Sequence, residues 1–414
     1  MPTFIGTING AEKRLPGAAV CLRFYHRPFF RYIRNPMLRT FILLLLTAST
    51  VFAQSNDIAF RRAAHLRHGI NASEWFAQEP GRYTAERLST YTDVSDIALI
   101  KQLGFDHIRL SIDPEPLVQP LIWGARNQSP AAPPNVFLTA LDKIVNDAES
   151  QGLAVIIDIH PQSDFKRRVR EDGSFAGKFA DLWRALAAHY ANLNPDLTFF
   201  EVMNEPEDQD PNQWMGIQAQ LVAAIHGVAP QNTIVVSGAR WSDIDQLLQL
   251  QPLADPNLVY NFHFYTPHEF THQGASWSSN LEMHLTRGVH YPSSPDQSAQ
   301  LQQEVPTPVE KYEITRYAYD NWNSARIASE IDIAAQWAKE RHVPLTCNEF
   351  GVYRVYANAD ERMAWIHDVR SALERDGIGW TMWDYRGGFG VVTKKDGEPA
   401  VPDHAVLKAL GLEK

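Results

Sequence analysis

Cysteine is scarce in this 414-residue chain, which holds only Cys21 and Cys347. A fold stapled by several disulfides is therefore excluded. Basic residues are in deficit, 38 Lys and Arg against 48 Asp and Glu, for a formal charge of −10. Such a surface repels phosphate backbones, so nucleic acid is not an expected partner, whereas a neutral polymer meets no such barrier. No apolar run reaches the roughly 20 residues that a membrane-spanning helix needs. The nearest is FILLLLTASTVFA at 41–53. Internal repeats and low-complexity linkers are also missing, so no separate binding module is expected.

The 41–53 stretch follows Arg39 and ends in Val51-Phe52-Ala53, with small residues at −3 and −1 before Gln54. This is the pattern of a secretory signal peptide cleaved after Ala53. A signal normally starts close to its charged region, and Met37 stands two residues before Arg39. Translation is therefore expected to begin at Met37. The alternative is a long basic leader carrying Arg23, Arg27, Arg31 and Arg34. Residues 1–53 hold seven Lys and Arg and one acidic residue, so residues 54–414 carry a formal charge of −16. Cys21 leaves with the leader and strands Cys347. Export without a disulfide fits a bacterial cell, so a secreted monomer is expected, extracellular or periplasmic.

From about residue 65, apolar runs alternate with amphipathic segments. The runs are Leu66–Ile70, His107–Ile112, Ala154–Ile159, Leu197–Met203, Thr233–Ser237, Leu258–Phe264, Leu345–Phe350 and Gly379–Trp383. Helical patterns fill the gaps at Asp93–Leu103, Val136–Gln151, Phe179–Ala191, Gln213–His226, Ser242–Leu250, Ile327–Arg341, Glu361–Asp376 and Asp403–Leu410. Gly104 and Gly152 are placed to end the first two. Strands that are apolar throughout, separated by helices, imply a parallel sheet covered on its outside. Eight units close as a (β/α)8 barrel, a single α/β domain over 54–414 with its chemistry at the C-terminal strand ends. A doubly wound open sheet is the alternative, but it needs no special residue at each strand end. One connection is out of proportion: the stretch between Tyr265 and Ile327 after strand six is rich in Ser, Gln, Pro and His, and reads as a long loop over the catalytic face.

Two runs stop at a glutamate preceded by asparagine: Asn204-Glu205 in FFEVMNEP and Asn348-Glu349 in PLTCNEFGVY. An apolar run that ends in a carboxylate places that charge at a barrel mouth. Two carboxylates meeting there supply what cleavage of a glycosidic bond needs, a proton donor and a group that attacks or activates water. The other strand ends contribute Arg109 (HIRLSID), His160 (IIDIHPQ), His263 and Tyr265 (YNFHFYTP) and Trp383 (WTMWDYR).

This set resembles glycoside hydrolase family 5, the cellulase-like branch of retaining (β/α)8 glycosidases, from RHGINASEW (67–75) to FGVVTKKDGEP (389–399). The resemblance implies that Glu205 is the general acid/base and Glu349 the nucleophile. It further implies that Arg109 and Tyr265 orient Glu349, that Asn204 holds the sugar 2-hydroxyl, and that His160 and His263 bond near the cleaved linkage. Trp383 would be the floor under the sugar, and Trp241, directly after strand five, a further platform. Trp75 and Trp277 are weaker platform candidates. Cys347 is expected in the core, inside the barrel on the strand face of Glu349. Two stretches depart from the common pattern, HPQSDF after strand three and HEFTHQGASW at 268–277, and both bear on polymer identity.

The expected activity is double-displacement hydrolysis of a β-glucan-type polysaccharide or oligosaccharide, with β-1,4-glucan first and mannan, xyloglucan or β-1,3-glucan as alternatives. No cofactor and no metal are expected. Two remoter readings are a metal-dependent hydrolase built on Asp158, His160, Glu205, His263 and Asp384, and a sugar-binding protein without catalysis.

Overall fold

The computed structural model describes residues 58–79, 83–118, 135–277, 286–305 and 307–413. The expected signal peptide, start at Met37 and cleavage after Ala53 lie outside these residues. Eight parallel strands pair in sequence order and close as a barrel: β1 His68–Phe76, β2 His107–Ile112, β3 Ala154–Ile159, β4 Thr198–Glu201, β5 Thr233–Ser237, β6 Leu258–Phe264, β7 Leu345–Phe350 and β8 Gly379–Met382. Strands β2 to β8 are buried along their whole length. Helices lie between consecutive strands, as in a (β/α)8 barrel. Among the described residues, no helix is long and apolar enough to cross a membrane.

Alternation along the strands sorts the core into two layers. Ile108, Leu110 and Ile112 of β2 and Val155, Ile157 and Ile159 of β3 belong to the large cluster shared with the helices. Ala154, Ile156, Phe199, Val235 and Val259 form a separate small cluster with Leu66, an apolar plug inside the barrel. Beside this floor, the His107 ring packs so close to Gly69 that an added Cβ would lie 2.0 Å from its Nε2. Glycine is therefore the residue that β1 can accept there. Above the floor the interior turns polar: Asn71, Arg109, Asp158, Glu201, Asn261 and Asn348 are all buried.

The elements begin and end where local chemistry dictates. Asp93 closes a capping box with Asp96 at the start of helix Val94–Gln102, and Gly104 and Gly152 adopt φ of 98° and 69° just past their helices. Three expectations need correction. The helix expected at Ser242–Leu250 shrinks to Ile244–Leu247, because Arg240, Trp241 and Ser242 all have positive φ. The helix expected from Phe179 begins at Gly173, capped by Asp172, after a separate helix Ser163–Glu171. The long connection after β6 carries, among its described residues, the helices His268–Thr271, Pro295–Glu304 and Pro308–Tyr319.

Cys347 is buried and its thiol is held protonated by that burial, but it is not inside the barrel. It joins Phe262, Phe350 and Trp365 in the helix-facing layer. The cause is an irregularity in β7: Phe262 pairs with Cys347 and His263 with Glu349, so Asn348 is an extra residue. Bulges of this kind re-aim side chains beside active sites.

Candidate active site

Arg109 of β2 organises the polar interior. Its Nε and Nη2 donate to the two carboxylate oxygens of Glu201, each at 2.8 Å. Nη2 also donates to Asn204 Oδ1 at 2.9 Å and lies 3.1 Å from Asp158 Oδ2. Nη1 donates to Glu349 Oε1 at 2.7 Å and Asn71 Oδ1 at 2.9 Å. Burial works against the guanidinium charge, but Asp158, Glu201 and Glu349 more than offset it and hold its pKa well above the usual value.

At the mouth, Tyr265 donates its hydroxyl to Glu349 Oε2 at 3.0 Å. Burial, then the Glu349 and Glu205 charges, keep that phenol protonated. His263 Nδ1 lies 3.0 Å from Glu205 Oε1 and 3.6 Å from Glu349 Oε2, so it stands between the two glutamates. Burial lowers its pKa to about 4, which makes it a neutral imidazole. Glu205 has φ of 44°, a left-handed conformation that an L-residue holds only when its surroundings enforce it. The two carboxylates differ in setting: the Glu349 side chain is 5% exposed and paired with a cation, while that of Glu205 is 25% exposed and faces an uncharged ring. One ligating atom from each of Glu205, His263 and Glu349 lies within 4.8 Å of the others.

His160 Nδ1 bonds Asp158 Oδ2 at 2.9 Å, and its Nε2 meets Asn204 Nδ2 at 3.1 Å. Trp383 lies nearly parallel to the His160 ring, with centroids 5.7 Å apart. Burial raises the Asp158 carboxyl to about 7 and lowers His160 to about 3.

Glu205, Asn204, His160 and Trp383 line an open cleft of about 620 Å³. Trp241, 43% exposed, and Trp277, 56% exposed, also border it, with Tyr353 and Phe389. Trp277 stands edge-on to Tyr353 at 4.6 Å. Trp75 is not a platform: it is fully buried and donates to the Leu88 carbonyl. A second cleft of about 720 Å³ is lined by Phe60, Arg67, Lys339 and His342 on the far side of the barrel and touches neither glutamate.

A family model described as Cellulase (glycosyl hydrolase family 5) matches residues 71–388. The chain belongs to glycosyl hydrolase family 5. This family 5 chain is 27% identical over 356 residues to Endoglucanase 3 of Fibrobacter succinogenes, across 82% of its own length and 52% of that protein's. It therefore spans about half of that relative. It is 28% identical over 327 residues to Endoglucanase C of Acetivibrio thermocellus, across 78% of its length and 91% of that protein's. Among solved structures, Cel5A of Thermotoga maritima in complex with cellobiose superposes with a TM-score of 0.64 at 25% identity, over 85% of this chain and 99% of that one. As a family 5 member the protein is a glycoside hydrolase.

The structure thus brings Arg109, His160, Asn204, Glu205, His263, Tyr265, Glu349 and Trp383 into one constellation, with Trp241 along the same cleft. Sequence reasoning missed the buried partner of Arg109, Glu201, which also accepts from Asn348 Nδ2 at 2.8 Å. It likewise missed Asn71 and Asn261, which bond the Asn348 backbone carbonyl and amide. Of the residues in the metal-dependent reading, Glu205 and His263 lie together at the mouth, whereas Asp158, His160 and Asp384 have other partners. Asp158 and His160 bond each other, Arg109 and Asn204, while Asp384 accepts from Ser73 and from Gly387 N.

Proposed function

We propose that this protein is an exported bacterial β-glycanase that cleaves β-1,4-glucan by double displacement, with Glu349 as nucleophile and Glu205 as acid/base. The observation that carries the reading is the approach of the two glutamates across His263, with ligating atoms within 4.8 Å. Retaining glycosidases hold their carboxyls about 5–5.5 Å apart, whereas inverting enzymes need about 6.5–9.5 Å to admit a water. Arg109 Nη1 and the Tyr265 hydroxyl each donate to one oxygen of Glu349, which orients the carboxylate for attack on the anomeric carbon. Glu205, beside the neutral His263 ring, protonates the departing oxygen and then takes a proton from the water that releases the glycosyl-enzyme. Asn204 donates to the 2-hydroxyl and Trp383 stacks under the sugar. The endoglucanases among its relatives support a β-glucan substrate.

The test is reducing-sugar release by residues 54–414 on carboxymethylcellulose, barley β-glucan, laminarin, xyloglucan, galactomannan and xylan. Strongest release from carboxymethylcellulose or barley β-glucan is expected. Preference for another backbone reassigns the polymer, and silence on every polymer and on aryl β-glucosides overturns the catalytic reading. A specific observation supports an oligosaccharide preference as second reading: the helical insertion after β6 sets Trp277 against the cleft, and Cellodextrinase A of Ruminococcus flavefaciens is 27% identical over 319 residues. That reading expects aryl glycosides and short oligosaccharides to be cut while polymers are spared.

Trp241 provides a graded check. Its exposed ring offers a stacking face worth about 0.5–1.5 kcal/mol, so Trp241→Ala is expected to raise KM for an oligosaccharide about 3- to 10-fold with kcat nearly unchanged. Steady-state kinetics on oligosaccharides of increasing length read this out.

A further inference from the structure

We propose that Asp158 is a positioning residue, which holds His160 in the tautomer that accepts from Asn204 and so locks the amide polarity that Arg109 sets, making the enzyme selective for a sugar bearing a 2-hydroxyl. The inference rests on the reading of Asn204 as the 2-hydroxyl contact and extends it to two buried neighbours.

Asn204, His160, Asp158 and Arg109 form a closed ring of polar contacts. An amide oxygen only accepts and an amide nitrogen only donates, while a guanidinium only donates. Arg109 Nη2 lies 2.9 Å from one end of the Asn204 amide, so that end is Oδ1. The other end, Nδ2, faces His160 Nε2 at 3.1 Å and must donate to it. Nε2 is then the bare nitrogen. Burial keeps the imidazole neutral, so its one proton sits on Nδ1, pointed at Asp158 Oδ2 at 2.9 Å. Asp158 Oδ2 also meets Arg109 Nη2 at 3.1 Å, which closes the ring. Each member fixes the next, and Trp383 packed parallel to His160 opposes any turn of the imidazole.

Removal of the acceptor at Asp158 releases the tautomer. A proton on Nε2 would stand against the Asn204 Nδ2 hydrogens, donor against donor, and the amide would rotate or retreat. With the ring intact, one Nδ2 hydrogen is engaged by His160. Asn204 lines the cleft beside Glu205, so the second is available to a substrate oxygen. A donor of fixed polarity strengthens its bond as charge develops in the transition state, whereas a mobile amide does not. Asp158 itself does not line the cleft, so its influence on substrate choice passes through His160.

Two variants separate this role from plain packing. Asp158→Asn keeps one oxygen to accept from His160 Nδ1, while Asp158→Leu keeps none at similar bulk. The readout is the ratio of kcat/KM on an aryl β-glucoside to that on its 2-deoxy analogue. The ratio is expected to fall at least about tenfold in Asp158→Leu and to stay within about threefold of wild type in Asp158→Asn. A Leu variant that loses overall rate but keeps the ratio overturns the proposal. Wild-type protein labelled with 15N-histidine gives an independent reading that needs no folded Leu variant. The His160 signal, assigned by its loss in His160→Gln, is expected to show the Nδ1–H tautomer, and an Nε2–H tautomer overturns the relay. A wild type that treats both glycosides alike overturns the sugar contact of Asn204 and the selective role with it; the tautomer then decides the relay alone.

Discussion

Glu349→Ala is expected to lower turnover of an activated β-glycoside about 10⁴-fold or more, the scale on which loss of a nucleophile acts. Azide should then restore cleavage. The small anion fits the space left by the carboxylate and attacks the anomeric carbon from the same side, which gives an α-glycosyl azide. Glu205→Ala should behave differently. With a good leaving group the first step needs no acid, so a glycosyl-enzyme still forms on Glu349, and azide attacks it from the opposite face to give the β product. Product stereochemistry by NMR reads both cases, and swapped outcomes would exchange the two roles. The asymmetry of setting makes this order the expected one, since Glu349 alone of the pair bonds Arg109 and Tyr265.

Arg109→Met should be the most damaging change that leaves both glutamates in place. Arg109 is fully buried and contacts three carboxylates, those of Asp158, Glu201 and Glu349. Breaking a buried ion pair by removal of one partner costs about 3–5 kcal/mol, and here one removal strands several anions. Activity should be lost at the same time, because the orientation of Glu349 goes with the cation. The destabilisation has a defined pH dependence. Burial already raises Asp158 to about 7 with Arg109 present, and Arg109 works to lower it. Its loss moves that pKa further up in the folded state, so the folded chain binds a proton that the unfolded chain has released. Stability then falls as pH rises above the ordinary carboxylate range. Because Asp158 already titrates near 7 in the wild type, thermal melts should show the gap between variant and wild type widening as pH rises from about 7 to about 9, and a gap that narrows over that range would contradict the buried-anion account.

Much of this was legible in the sequence. Strands β2, β3, β5, β6 and β7 occupy the residues their apolar runs mark, because a strand covered on both faces must be apolar until it reaches solvent. β1 outruns its apolar run and continues through Asn71, Ser73 and Glu74 to Phe76, polar residues that a strand can carry only where the barrel interior is itself polar. Glu201 escaped notice for the same reason. Its signal was a charge inside the run LTFFEVM, which needs a buried partner, and Arg109 was the strand residue able to supply one. In the insertion after β6, Thr307-Pro308-Val309-Glu310 is a capping box with proline in the first helical turn, a start signal masked by the Ser and Pro around it. The positive φ of Trp241 carried no comparable sign, since no glycine or asparagine marks it.

The extra residue in β7 has a wider meaning. A strictly alternating strand gives each interior level one side chain, yet here neighbours Asn348 and Glu349 both face inward, the first braced against Glu201 and the second against Arg109. Scaffold and reagent are therefore adjacent in sequence but serve different storeys of the barrel. Their separation depends on a count of backbone units rather than on any side chain. A β7 that alternated strictly over the same residues would leave every reactive group in the chain and still make an inert enzyme, because the glutamate would fall on the helix-facing side with Cys347.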